Sequence, residues 1–461
     1  MFSSQTYTGR RNRLKKQVDN GVALFLGNEE SPMNYADNTY HFRQHSSFLY
    51  FFGLDFAGLA GIVDIDSGED ILFGDELTID EIVWMGSQPT LAEKAKAAGI
   101  TNVRPRRELE LYINKTIADG RKVHFLPPYR PENKIKIMKM LGIHPDLSSD
   151  FASIELIKAV VEQRNYKTEE EIAEIEKACD ITADMHIAAM KAIRPGMREC
   201  EVSAAVEKVA LANNGHVSFP VIATINGQTL HNHNHGNYIK EGDLFLLDAG
   251  FETEMRYAGD MSSTIPVSGK FTDRQKEIYK ITLDAHEAAI SMLKPGTAFK
   301  DVHLTACRTI AQGMKELGFM KGDINAAVKA GAHAMFMPCG TGHMMGLDVH
   351  DMEDLGEVYV GYDGKQKSTQ FGLKSLRLAR KLEAGFVLTI EPGIYFIPEL
   401  IDLWQKEEKF TEYLNYDKIN EYRDFGGIRN EEDFLITEDG YRLLGKRKPK
   451  TIEEVEALRN E

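Results

Sequence analysis

The chain has 461 residues, more than one ordinary hydrophobic core organises, so two domains are expected. Hydrophobic residues make up 43% and charged residues 27%, the balance of a globular protein with packed cores. A formal net charge of -15 argues against nucleic acid or an anionic membrane as a main partner.

The polar N-terminus carries a basic cluster, Arg10-Arg11-Asn12-Arg13-Leu14-Lys15-Lys16, which reads as a solvated helix face. It precedes no apolar run of signal length, and no run of about 20 apolar residues follows that could span a bilayer. Strands are expected at Val22–Leu26, at Ser47–Gly53 and at Gly61–Val63. Helical and strand patterns then alternate to about residue 150, which predicts an α/β domain. A helical pattern covers Ser153–Arg164 and resumes from Thr168 to Ile193. The second piece opens with Thr168-Glu169-Glu170-Glu171, a capping-box pattern. The boundary is placed near residue 160, giving domains 1–160 and 161–461. Cys179, Cys200, Cys307 and Cys339 are widely spaced and form no CxxC pair, so neither a disulfide framework nor a zinc knuckle is expected. A reducing cytoplasm is the expected setting.

The second domain contains a repeat. Ile181-Thr182-Ala183-Asp184-Met185-His186 returns as Ile281-Thr282-Leu283-Asp284-Ala285-His286, and Arg194-Pro195-Gly196 returns as Lys294-Pro295-Gly296. Fixed-period self-similarity predicts two duplicated helix-helix-strand halves whose sheets pack with a site between them. His186 and His286 fall mid-helix and read as structural.

Five side chains lie in or beside apolar, strand-like runs of this domain: Asp248, Asp260, His343, Glu391 and Glu431. A carboxylate there is costly to bury unless paired or bound to a cation. Asp248 and Asp260 read as one carboxylate on each strand of a hairpin. His343 lies in a loop punctuated by Gly340, Gly342 and Gly346, and His350 follows seven residues later. Glu391 precedes Pro392-Gly393, which stops its strand, and Glu431 precedes another expected strand, Asp433–Thr437. One imidazole with four carboxylates suits two hard or borderline divalent cations, with manganese first and cobalt or zinc as alternatives. Such a pair activates water for hydrolysis.

In their order and contexts these five residues resemble the pita-bread metallopeptidases (family M24), which include methionine aminopeptidase, aminopeptidase P and prolidase. Tyr40-His41-Phe42-Arg43-Gln44-His45 is similar to the N-terminal domain of the proline-specific members. The resemblance implies a creatinase-like N-terminal α/β domain, a catalytic pita-bread domain, a homodimer, and hydrolysis of Xaa-Pro bonds. It implies Asp248 on one metal, Asp260 and Glu431 bridging, and His343 and Glu391 on the other, with Glu391 also the proton acceptor. His231 and His350 match substrate-side histidines, and Arg429 matches an arginine adjoining the metals. His233 and His235 match nothing assigned and read as loop residues. Ser375-Leu376-Arg377-Leu378-Ala379-Arg380 resembles the prolidase segment that binds the substrate carboxylate, with Arg377 in that role. This and the long Ile397–Asp424 segment favour an Xaa-Pro dipeptidase, with an Xaa-Pro aminopeptidase as the alternative. Cys339 stands where many relatives carry a substrate-lining histidine. The interval from Asp248 to Asp260 is one residue longer than usual, an excess expected in a turn or bulge. Remoter readings are a hydrolase of esters or phosphoesters, a metal-free amidinohydrolase, and a non-catalytic peptide-binding module that keeps the fold. The last two would be expected to lose the ligands that this chain keeps.

Overall fold

The structure is a computed structural model that describes residues 1–460. The chain separates into two compact units. One holds residues 1–164 with 352–359, and the other holds 165–351 with 360–461.

The first unit opens with α1 (Ser4–Gln17) and β1 (Val22–Leu26), then α2 (Ser46–Phe52), β2 (Ala60–Asp64) and β3 (Asp70–Phe73). α3 (Ile79–Met85), α4 (Leu91–Ala97), β4 (Asn102–Arg104), α5 (Leu109–Ala118), β5 (Val123–Phe125), α6 (Pro131–Leu141) and α7 (Ile154–Asn165) follow. The sheet runs β4-β3-β2-β1-β5, antiparallel across β1, β2 and β3 and parallel at both outer pairs.

Two expectations fail here, each for a physical reason. Ser47–Gly53 is not a strand but the body of α2. Every residue of α2 is buried, so apolar periodicity carries no signal, and Gly53 at φ 66° closes the helix in the left-handed conformation that glycine tolerates. The basic cluster is not a wholly solvated face either, because Arg10 and Arg11 are 1% and 0% exposed. Arg11 donates to Phe51 O at 2.7 Å, to Ala98 O at 2.9 Å and to Asp70 Oδ2 at 2.8 Å. Arg10 donates to Tyr50 O at 3.0 Å. These carbonyls lie at the C-terminal ends of α2 and α4, where helices leave acceptors unpaired and concentrate negative dipole charge. Two helix ends converging on α1 make burial of a guanidinium favourable.

The second unit begins with α8 (Glu169–Ala192) and α9 (Glu199–Ala212). β6 (His216–Val217), β7 (Ile222–Thr224), β8 (Leu244–Ala249), β9 (Phe251–Glu252) and β10 (Met261–Pro266) follow. α10 (Asp273–Ile290) and α11 (Phe299–Glu316) then repeat the helix pair. β11 (Val387–Ile390), β12 (Gly393–Tyr395), β13 (Gly427–Arg429), β14 (Glu432–Ile436) and β15 (Tyr441–Leu443) complete the sheets. The main sheets are β10-β8-β7 and β11-β14-β15, with β12-β13 and β6-β9 as two-stranded additions. Thr168 and Glu171 form the reciprocal cap at the start of α8. His186 and His286 are fully buried, and the His186 ring reaches Ser263 Oγ at 2.9 Å and Ala249 O at 3.1 Å, tying α8 to β8 and β10. No helix among the described residues is long and apolar enough to cross a membrane.

Arg11→Leu should lower the urea midpoint of the first unit, since removing a buried guanidinium leaves several acceptors unsatisfied at a cost of about 3 kcal/mol. Circular dichroism in urea reads it, and an unchanged midpoint would show that the buried bonds contribute nothing net.

Candidate metal centre

Each half of the second unit delivers two carboxylates by the same local construction. In the first half, Gly196 at φ 91° donates its N–H to Ile239 O at 2.8 Å, five residues before β8. In the second, Gly296 at φ 88° donates to Leu382 O at 2.8 Å, five residues before β11. Asp248 and Glu391 each follow their anchor by nine positions (248 − 239 and 391 − 382). Asp260 and Glu431 stand just before β10 and β14, the strands that pair with β8 and β11. Asp260 therefore lies off its strand rather than on it, and Asp248 opposes Ser262. The connection from β8 to β10 is also not a simple hairpin turn. It contains β9 and a Thr253–Tyr257 turn in which Arg256 adopts φ 67°.

His343 arrives on a loop laid along β11. Thr389 N–H donates to His343 O at 3.0 Å, and Glu391 N–H donates to Thr341 O at 2.8 Å. A Cβ at Gly342 would run into the Thr389 carbonyl oxygen, so only glycine allows this approach.

Among Asp260, His343 and Glu431, ligand atoms lie within 4.8 Å of one another, all buried. The Nδ1 of His343 donates to Met344 O at 3.0 Å, which leaves the Nε2 lone pair facing inward. Nε2 then stands 3.3 Å from Asp260 Oδ2 and 3.9 Å from Glu391 Oε1. Burial holds the His343 ring well below its ordinary pKa, so it is neutral. A neutral imidazole lone pair facing carboxylate oxygens is repulsive unless a proton or a cation lies between them. Asp248 Oδ1 and Asp260 Oδ1 are buried with no hydrogen-bond partner among the described residues. Burial pushes the Asp260 carboxyl well above the usual range, and the charges of Glu431 and Asp248 push it further. Glu431 moves the same way, first through burial and then through Glu391 and Asp248. Burial raises Glu391 to about 7, with the Arg429 charge pulling down against it. In the metal-free protein retained protons compensate these buried acids, and the donor set fits divalent cations that would take their place.

Neighbouring groups position these acids. Buried Arg429 donates to Asp248 Oδ2, to Ser262 Oγ at 2.8 Å and to Tyr395 Oη at 3.0 Å. Ser262 Oγ donates onward to Glu431 Oε2 at 2.8 Å. Asp433 Oδ2 accepts the Asp260 N–H at 3.1 Å and the Cys179 thiol at 3.1 Å. Tyr395, Ser262 and Asp433 are absent from the sequence-based set. Asp433 alone has a sequence signal, as the last acid of Glu431-Glu432-Asp433.

One cavity of about 310 Å³ receives the whole set. Asp248, Asp260, His343, Glu391 and Glu431 line it together with His231, His350, Cys339, Arg377 and Arg429. The His350 ring lies 4.3 Å from that of His343. His233 also faces the cavity, whereas His235 contacts Val221 O through Nε2 at 2.9 Å. The His231 loop is held by the buried Glu199 carboxylate, which accepts from Thr224 Oγ1 at 3.0 Å, Ile225 N–H at 2.9 Å and Asn237 N–H at 3.1 Å. Burial pushes the Cys339 thiol up to about 12, so it stays protonated and uncharged. Phe219, Pro220, Ile222 and Leu230 supply an apolar wall.

Residues 173–438 match metallopeptidase family M24, and residues 7–124 match the aminopeptidase P N-terminal domain. The chain is 32% identical to the Xaa-Pro dipeptidase of Rattus norvegicus over 470 residues, covering 96% of this chain and 90% of that protein. It is also 32% identical to a Phaeosphaeria nodorum protein named "Probable Xaa-Pro aminopeptidase PEPP", covering 96% and 93%. Its fold matches the structure of Pseudomonas aeruginosa aminopeptidase PepP at a TM-score of 0.83 and 26% identity, over 100% of this chain and 98% of that one.

Asp260→Asn separates the electrostatic cost of the centre from its purpose. The folded, metal-free protein holds the Asp260 proton above its ordinary pKa of 3.8, whereas the unfolded chain releases it near that value. The wild type therefore loses stability relative to Asp260→Asn as pH rises from about 4. After chelation the variant should melt higher at pH 8, with the gap shrinking toward pH 4, yet lose the rise in Tm that manganese gives the wild type. A gap that does not change with pH would contradict the electrostatic origin.

Proposed function

The chain belongs to metallopeptidase family M24, and we propose that it is an Xaa-Pro dipeptidase working with two divalent cations, manganese first among them. Residues 1–160 are assigned as its N-terminal domain and 161–461 as its catalytic domain. The observation that carries the reading is the neutral His343 Nε2 facing Asp260 Oδ2 at 3.3 Å inside a cavity walled by three further carboxylates. In this reading Asp248, Asp260, His343, Glu391 and Glu431 would be the side chains that hold the two cations. When bound, the cations supply Lewis acidity that lowers the pKa of water and polarises the scissile carbonyl.

The chain's own groups do the rest. An Xaa-Pro bond is a tertiary amide, and its departing proline nitrogen must gain a proton. Glu391, whose side chain is 21% exposed and lines the cavity, takes a proton from the attacking water and returns it to that nitrogen. Arg429 orients the Asp248 carboxylate through its buried pair. His231 and His350 stand where hydrogen bonds to the substrate backbone would align the carbonyl. The apolar wall of Phe219 and Leu230 suits a prolyl ring.

Substrate length turns on Arg377. Its backbone is fixed by Tyr362 Oη, which donates to Leu376 O at 2.6 Å, and by Ala379 N–H, which donates to Gly361 O at 2.9 Å. A guanidinium lining the cavity can hold a dipeptide's C-terminal carboxylate with two parallel bonds. The aminopeptidase reading stays in contention because the Phaeosphaeria nodorum relative carries that name at the same identity. The free cysteines agree with a cytoplasmic setting.

With manganese present, kcat/KM for an Xaa-Pro dipeptide should exceed that for the matching Xaa-Pro-Xaa tripeptide. Arg377→Ala should raise the dipeptide KM by roughly 10- to 100-fold, the value of a charge-assisted pair, and leave the tripeptide nearly unchanged. A clear tripeptide preference would transfer the protein to the aminopeptidases, and equal losses on both substrates would remove Arg377 from carboxylate binding.

A further inference from the structure

Three metal-ligating side chains converge at a second place, one that the peptidase chemistry does not use. His303 and Cys307 stand one turn apart on α11, and His333 comes from the 3-10 turn Ala332–Met335. One ligand atom from each lies within 4.8 Å of the others, and all three side chains are fully buried. None lines the peptidase cavity.

The hydrogen bonds around this cluster are those of ligands lacking a cation. His303 Nδ1 lies 2.7 Å from Thr341 Oγ1, which can accept its proton and leave the Nε2 lone pair free. Nε2 points at Cys307 Sγ, 3.4 Å away. Neither ring nitrogen of His333 has a hydrogen-bond partner among the described residues. The Val328 backbone is near that ring but outside hydrogen-bond geometry. A buried imidazole with both nitrogens unsatisfied costs stability, and coordination would satisfy one of the two. Two imidazoles and one thiolate are a borderline-to-soft set, unlike the carboxylate-rich centre, and select zinc over manganese.

We propose that His303, Cys307 and His333 form a separate zinc site that braces the Thr341–His343 loop. Binding forms the zinc–sulfur and two zinc–nitrogen bonds, and the Cys307 thiol proton leaves to solvent. The brace passes through His303 to Thr341, whose carbonyl oxygen accepts the Glu391 N–H. The inference does not depend on how the peptidase centre is loaded, because the five residues assigned there include no sulfur.

Cobalt(II) titrated into chelator-stripped protein tests it, since only a thiolate ligand produces the near-ultraviolet sulfur-to-cobalt band. One equivalent of band-forming cobalt per chain is expected, displaced by zinc. The band should vanish in Cys307→Ser and survive in Cys339→Ser, which alters the thiol lining the peptidase cavity. His333→Gln, a milder change, should weaken zinc binding at least tenfold by competition while keeping the wild-type circular dichroism. Absence of the band at saturating cobalt in the wild type would overturn the proposal. A band that survives Cys307→Ser but is lost in Cys339→Ser would overturn it too.

Discussion

A buried cluster of acids around one neutral imidazole is the constraint on which the second unit depends. Two like charges 4 Å apart repel by about 4 kcal/mol at the effective dielectric of a protein site, and burial adds a desolvation cost to each. Asp248, Asp260, Glu391 and Glu431 nonetheless line one cavity, with His343 presenting its lone pair rather than a proton to Asp260. The protein offsets part of this cost by itself. Arg429 neutralises Asp248, Ser262 donates to Glu431, and the Asp260 backbone is held by Asp433. The remainder is an affinity for cations, and the metal-free fold is strained electrostatically so that the loaded one need not be.

Duplication explains how one chain assembles such a cluster. Each half builds a helix pair, a Pro-Gly turn whose glycine N–H clips onto the segment before a strand, and an acid nine residues beyond the clip. A single half supplies only two carboxylates. Two halves facing one cavity supply four, and the loop through Gly342 adds the imidazole. The halves have diverged where symmetry is dispensable. Asp248 lies within β8, whereas Glu391 falls one residue past β11, which leaves the glutamate more exposed.

Much of this is legible in the residues themselves. Acids ending apolar runs stand out because burial makes them costly, and the repeat stands out because His186 and His286 keep one register. What stays hidden is hidden for identifiable reasons. α2 is buried on every side, so its aromatic run carries no helical periodicity. Arg10 and Arg11 look solvated because the carbonyls that receive them lie 40 to 88 residues away. Tyr395 and Ser262 act through hydrogen bonds to Arg429, and nothing in their own flanks announces that. His303 and Cys307 read as part of an amphipathic helix until His333 is folded against them.

Anomalous diffraction at the manganese edge, from crystals grown with that metal, tests the central claim most directly. The account predicts two peaks among Asp248, Asp260, His343, Glu391 and Glu431. A cavity without anomalous density at saturating manganese, or metal held only elsewhere on the chain, would contradict it.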